Sequence, residues 1–200
     1  RSNSEADIIK RASLLKNDSV HGAFKGTVDV DLKNESIIIN GQIVKMICAK
    51  NPEDIDYTAH GIDNALIIDN TGAFTNREAL SRHLQSKGAS RVLLTAPGKE
   101  IPNVVYGINH GDLDLENETI FSAASCTTNA IVPVLKLISD KYGISNGHIE
   151  TVHSYTNDQN LIDNYHKGDR RGRSAPLNMV ITSTGAVKAV SKAIPELKDK

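Results

Sequence analysis

The chain has 200 residues, 23 basic and 24 acidic side chains, and a formal net charge of -1. So even a balance, with only 4% aromatics, argues against a nucleic-acid surface, and no apolar run approaches the ~20 residues that span a bilayer. Cys48 and Cys126, the two cysteines, form no disulfide framework and favour a reducing, cytoplasmic setting.

Ala6 to Lys16 places apolar residues three and four apart and predicts a helix. Thr27 to Asp31 and Ser36 to Asn40 alternate as strands. Asn40-Gly41 is a hairpin turn signal, and Gln42 to Ala49 is the expected return strand. Ala65 to Asp69 reads as a buried strand. Asn76 to Lys87 follows as a helix with Thr75 at its N-cap. Arg91 to Thr95, Val104 to Ile108 and Thr119 to Ser122 are further expected strands. This alternation predicts an α/β fold with a mainly parallel sheet.

Ser125-Cys126-Thr127-Thr128-Asn129 then leads into a helix-like run from Ala130 to Tyr142. That puts Cys126 at or near a helix N-terminus, where unpaired N–H groups and the helix dipole favour an anion. A thiolate there can have a pKa well below the free value of ~8.5. An isolated cysteine is more often a buried structural residue, so the downstream residues decide. His148 to Tyr155 alternates as a strand and carries His153, 27 residues after Cys126. A cysteine paired with an imidazole is the minimum apparatus for thiol chemistry. Lys167 to Arg173 offers guanidinium forks suited to phosphate. Thr182-Ser183-Thr184-Gly185-Ala186 stands before a second helix, Ala186 to Ile194, another place for an anion. Thr71-Gly72 and Thr95-Ala96-Pro97-Gly98 each follow a strand, where doubly wound sheets hold ligands. No Gly-x-Gly-x-x-Gly occurs; a dinucleotide fold needs that loop before Arg1, or the reading fails. The abrupt start at Arg1 and finish at Lys200 suggest a piece of a longer protein.

Taken together, Ser125 to Asn129, Thr151 to Gln159, Arg170-Arg171-Gly172-Arg173 and Ser183 to Val190 resemble phosphorylating glyceraldehyde-3-phosphate dehydrogenases. Asp18 to Gly22, Thr71 to Phe74 and Thr95 to Lys99 extend the resemblance over nearly the whole chain. It implies a partial Rossmann-type parallel-sheet domain, residues 1–125, the later part of an NAD-binding domain. Residues 126–200 would then start an α+β catalytic domain. The glycine-rich loop would lie before Arg1, and the rest of the catalytic sheet after Lys200. It further implies that Cys126 attacks the aldehyde and that His153 moves the proton, through a thioester that inorganic phosphate resolves. Ser125, Thr127, Thr156, Arg170 or Arg171, Thr184 and Gly185 match the two phosphate positions. Lys50, Thr71, Gly72, Thr95 and Asn157 match contacts to NAD, with NADP left open, and no metal is implied. The family is typically tetrameric, with Thr156 to Arg173 at a subunit contact. Ala130 replaces the family's frequent second cysteine, Asp69-Asn70 stands where many members have glutamate, and Asp54 to Asp63 is slightly longer than usual. An erythrose-4-phosphate dehydrogenase, a thiol hydrolase using Cys126, His153 and Asn157, and a non-catalytic scaffold are the alternatives.

Overall fold

The computed structural model describes residues 4–168, 170–198 and 200. Its helices are α1 (Glu5–Lys16), α2 (Arg77–Ser81), α3 (Cys126–Tyr142) and α4 (Ala186–Ala193). Its strands are β1 (Asn17–Asp18), β2 (Gly22–Ala23), β3 (Val28–Asp31), β4 (Ser36–Ile39), β5 (Gln42–Lys45), β6 (Ala65–Asp69), β7 (Ala89–Leu94) and β8 (Ile120–Ser122). β3-β4-β5 is an antiparallel meander. β6-β7-β8 is a second three-stranded sheet, with β7 and β8 parallel. The chain divides into two compact units, Arg1–Ile67 with Leu80–Arg91 and Ile68–Ala79 with Val92–Lys200.

In the first unit α1 starts at Ser4, whose hydroxyl accepts the Asp7 N–H, as an N-cap should. Its buried residues Ile8 and Ala12, four apart, share one face and pack with Val28 and Ile37 of the meander. Asn40 and Gly41 both take positive φ, 50° and 80°, the conformation a two-residue hairpin turn demands. Arg82 is bonded to Glu53 and Asn51, which ties the 3-10 turn after α2 to the one at Pro52–Asp54.

The second unit carries the strand-to-helix junction. Ser122 is fully buried; its hydroxyl donates to the Ala96 carbonyl at 2.6 Å and accepts the Ala124 N–H at 2.9 Å. Ala124 then takes φ +59°, a left-handed bend unusual for a residue with a Cβ. The bend turns the chain from β8 into α3. Val132 on α3 and Val190 and Ile194 at α4 bury against Val105, Ala124 and Leu197. Arg77 holds Glu118 by two charge-assisted bonds, 3.0 and 2.7 Å, and fixes the approach to β8.

Several expected elements differ. The helix over Asn76 to Lys87 is one α turn followed by a 3-10 turn, and the Asn76 side chain, not Thr75, caps it through the Ala79 N–H. Val104 to Ile108 is not a strand: the Asn109 side chain accepts the Val105 N–H, and Ile108 N–H closes a turn onto the Val105 carbonyl. His148 to Tyr155 carries the alternation of a strand, but no strand among the described residues pairs with it. An unpaired extended segment leaves its polar backbone to solvent, and residues 150–158 are indeed exposed. The return strand of the hairpin stops at Lys45, short of Ala49.

Candidate active site

Ser125 precedes α3 as its N-cap, and its hydroxyl accepts the Thr128 N–H at 3.0 Å. Asn129 donates to the Ala123 and Ser125 carbonyls, so the first turn is braced from within. Cys126 is therefore the first residue of a 17-residue helix, beside its positive dipole end. Its Sγ lies 3.2 Å from Nε2 of His153 and 3.9 Å from the Thr127 hydroxyl. The imidazole's other nitrogen, Nδ1, donates to the Ser154 carbonyl at 2.6 Å. This leaves Nε2 to face the sulfur, either accepting from the thiol or donating to the thiolate. The bond from His153, helped by Thr127, holds the Cys126 thiol below its ordinary range against the opposing effect of burial. The Ser154 carbonyl first, and the sulfur second, hold His153 above the ordinary imidazole range. Both shifts favour a thiolate–imidazolium pair.

Two cavities adjoin this junction, both within the second unit. The first, of about 330 Å³, is lined by Cys126, Thr127 and His153 among others. The second, of about 370 Å³, is lined by Ser125, Thr127, Thr128, Arg171, Thr184 and Gly185 among others. Thr127 borders both. The second cavity thus collects hydroxyls, a guanidinium and the starts of α3 and α4, all suited to an anion.

Of the residues singled out by sequence, Cys126 and His153 meet, and Ser125, Thr127, Arg171, Thr184 and Gly185 share one cavity. Arg170 points elsewhere, its Nη1 donating to the Ile181 carbonyl, so of the two neighbouring arginines Arg171 is the one that lines the second cavity. Thr156 is exposed and lines neither cavity. Thr71 and Thr95 come together around Asp69: Thr71 donates to its carboxylate, and the Thr95 N–H and hydroxyl donate to its carbonyl. Gly72 follows directly, so all three sit at the carboxyl ends of β6 and β7. Lys50 is exposed in the first unit, and Asn157 is exposed after His153. The position behind the imidazole belongs to the Ser154 carbonyl, so no Cys–His–Asn triad with Asn157 is assembled. Cys48 and Cys126 are both free and exposed. Among the described residues no three His, Cys, Asp or Glu side chains cluster as metal ligands, and no helix is long and apolar enough to cross a membrane.

Sequence reasoning missed Lys188 and Lys192, which also line the second cavity. Their spacing of four along α4 was the available signal, since it stacks them on one helix face. It also missed Asp158, bonded to Arg171, for which a partner thirteen residues away leaves no local trace.

Comparison with known proteins identifies the family. The family model for the glyceraldehyde 3-phosphate dehydrogenase NAD binding domain matches residues 2–77, and that for its C-terminal domain matches residues 125–200. A glyceraldehyde-3-phosphate dehydrogenase-like protein of Pseudomonas aeruginosa is 60% identical over 201 residues, covering 100% of this chain and 43% of its own length. Glyceraldehyde-3-phosphate dehydrogenase 2 of Trichormus variabilis is 46% identical across 99% of this chain and 58% of its own length. The chloroplastic A form of Zea mays is 46% identical across 96% and 47%. The chain spans about half the length of these relatives. With both domain models matched in order, and Cys126, just inside the C-terminal match, set against His153, the chain belongs to the glyceraldehyde-3-phosphate dehydrogenase family.

Proposed function

We propose that this chain carries the nucleophile and the anion sites of a phosphorylating glyceraldehyde-3-phosphate dehydrogenase. Such an enzyme oxidises glyceraldehyde 3-phosphate to 1,3-bisphosphoglycerate in glycolysis or gluconeogenesis. The observation that carries the reading is the 3.2 Å Cys126–His153 contact at the start of α3, beside a cavity built for an anion.

The Cys126 thiolate adds to the aldehyde carbon, and the carbonyl oxygen, once protonated, becomes the hemithioacetal hydroxyl. His153 Nε2 takes that hydroxyl proton as the carbon is oxidised to an acyl thioester. The Cys126 N–H, free at the helix start, and His153 stabilise the oxyanion on either side of this step. A phosphate oxygen then attacks the thioester carbonyl, the C–S bond breaks, and the sulfur leaves as thiolate. Ser125, Thr127, Arg171, Thr184 and Gly185 hold the phosphate groups; Thr156 and Arg170 take part only if substrate draws them in.

The strand-end residues fit a nicotinamide dinucleotide. Thr71, Gly72 and Thr95 lie at adjacent carboxyl ends of strands, the usual ligand edge of such a sheet. The match to the NAD binding domain supports NAD, with NADP as the alternative. When bound, it supplies the hydride acceptor. Lys50 and Asn157 are the remaining contacts we assign to it, with residues 1–125 as the cofactor domain and 126–200 as the start of the catalytic one. A homotetramer in the cytoplasm completes the reading. Exposed Leu161, Ile162 and Tyr165 supply apolar surface for a subunit contact, and two free exposed thiols suit a reducing compartment.

The test is NADH formation by the natural polypeptide carrying this chain, with glyceraldehyde 3-phosphate or erythrose 4-phosphate, with and without inorganic phosphate. Phosphate-dependent turnover on the triose, abolished in Cys126→Ser, is expected. Equal turnover without phosphate, or an active Cys126→Ser variant, overturns the proposal; preference for the tetrose reassigns the substrate.

A further inference from the structure

Arg171 is held more firmly than an exposed arginine on a loop would be. Its own N–H donates to the Gly168 carbonyl at 3.1 Å, and its carbonyl accepts the Asn160 N–H at 2.9 Å. Its Nη1 is bonded to Oδ2 of Asp158. The other carboxylate oxygen, Oδ1, faces Nε2 of His166 at 3.7 Å. The His166 side chain is 13% exposed, and its Nδ1 accepts the Gly168 N–H at 2.8 Å. The same nitrogen lies 3.2 Å from the Gly168 carbonyl oxygen, so the Gly168 backbone seats the ring beside Asp158. Arg171 is thereby fixed by its backbone at two points and by its guanidinium at a third. The same arginine lines the anion cavity, and Asp158 does not.

We infer that Asp158 is a positioning residue for the anion site: with His166 close to its other oxygen, it holds the Arg171 guanidinium ready for phosphate. This rests on the functional reading given above. An unrestrained arginine loses its rotamer freedom when an anion binds; one already ordered does not. Asp158 also places a negative charge near the cavity, which by itself repels phosphate. The two effects have opposite signs, so one substitution separates them.

The experiment measures KM for inorganic phosphate and kcat in the natural polypeptide carrying this chain, in the parent, Asp158→Asn, Arg171→Ala and the double variant. Positioning predicts that Asp158→Asn raises KM for phosphate about three- to fivefold, the scale of a partly exposed ion pair, with a smaller change in kcat. It also predicts no further rise when Asp158→Asn is added to Arg171→Ala. A KM that is unchanged or lowered overturns the inference, as does an additive effect in the double variant. If Asp158→Asn fails to fold, Asp158→Glu keeps the charge but shifts the carboxylate by one methylene; KM then rises by a smaller factor, and an unchanged KM again overturns the inference. A parent with no phosphate-dependent turnover defeats the functional reading itself, and the inference with it; an active parent with an insensitive Asp158→Asn defeats the inference alone.

Discussion

Ser125 serves two purposes that substitution can pull apart. Its hydroxyl caps α3 through the Thr128 N–H at 3.0 Å and lies 2.6 Å from the Thr128 hydroxyl, in a residue only 4% exposed. Ser125→Ala loses the cap, about 1 kcal/mol. It also leaves the buried Thr128 hydroxyl without that partner, about another 1 kcal/mol. The expected loss is about 2 kcal/mol, which at a urea slope of about 2 kcal/mol/M lowers the midpoint by about 1 M. Ser125→Asp is the contrast. Aspartate caps as well as serine and adds a favourable charge at the helix start, so stability stays within about 0.5 kcal/mol of the parent or rises. Yet it puts a carboxylate into the anion cavity. Two like unit charges about 4 Å apart cost about 1 kcal/mol even in water, and phosphate carries close to two, so phosphate binding weakens about tenfold or more. Urea unfolding followed by far-ultraviolet circular dichroism, with phosphate titration by calorimetry, measures both. An Ser125→Ala midpoint equal to the parent's, or undiminished phosphate binding by Ser125→Asp, would refute the dual role.

Other outcomes follow from the same geometry. Because His153 is the leading cause of the low thiol pKa, His153→Asn should move the pH inflection of Cys126 alkylation by iodoacetamide upward; an unmoved profile breaks the pairing. Glu118, 18% exposed, is held below the usual carboxylate range chiefly by Arg77. Its contribution is fully present above ~4.3, the unfolded value, and fades as pH falls through the lower folded value. Glu118→Gln should therefore cost about 1–2 kcal/mol at neutral pH, after allowing for the exposure of Arg77, and flatten the acid limb of the stability curve. Equal acid limbs in the two proteins would contradict that. A Cβ on Gly172 would meet the Asn164 carbonyl oxygen at 2.3 Å, so Gly172→Ala must shift backbone, costing about 1–3 kcal/mol. Faster proteolysis within residues 156–173 reports it, and an unchanged cleavage rate counts against the packing described.

The sequence was most legible where one local signal sufficed. Asn40-Gly41 gave the hairpin because two positive φ values need those residues, and Ala65 to Asp69 was placed to the residue. The helix-like run from Ala130 to Tyr142 was enough to put Cys126 at a helix start, which the structure sets at Cys126 itself. Long-range selection was not. His148 to Tyr155 has a strand's alternation but finds no partner strand among the described residues. Val104 still pairs with Ser122 of β8, but the next N–H, that of Val105, goes to the Asn109 side chain, a competition that apolar periodicity does not record. Arg170 and Arg171 are chemically identical neighbours, and only the fold turns one to the cavity and the other to Ile181.

Ser125, Cys126 and Thr127 are consecutive at the mouth of one helix. Any rocking of α3 therefore carries sulfur and anion-binding hydroxyls along as a single rigid body, and the gap between nucleophile and incoming oxyanion stays constant. His153 and Arg171 hang from the long connection between α3 and α4 and enjoy no such tether. Thermal motion should blur proton transfer and charge neutralisation well before it blurs the spacing between the bond-forming partners.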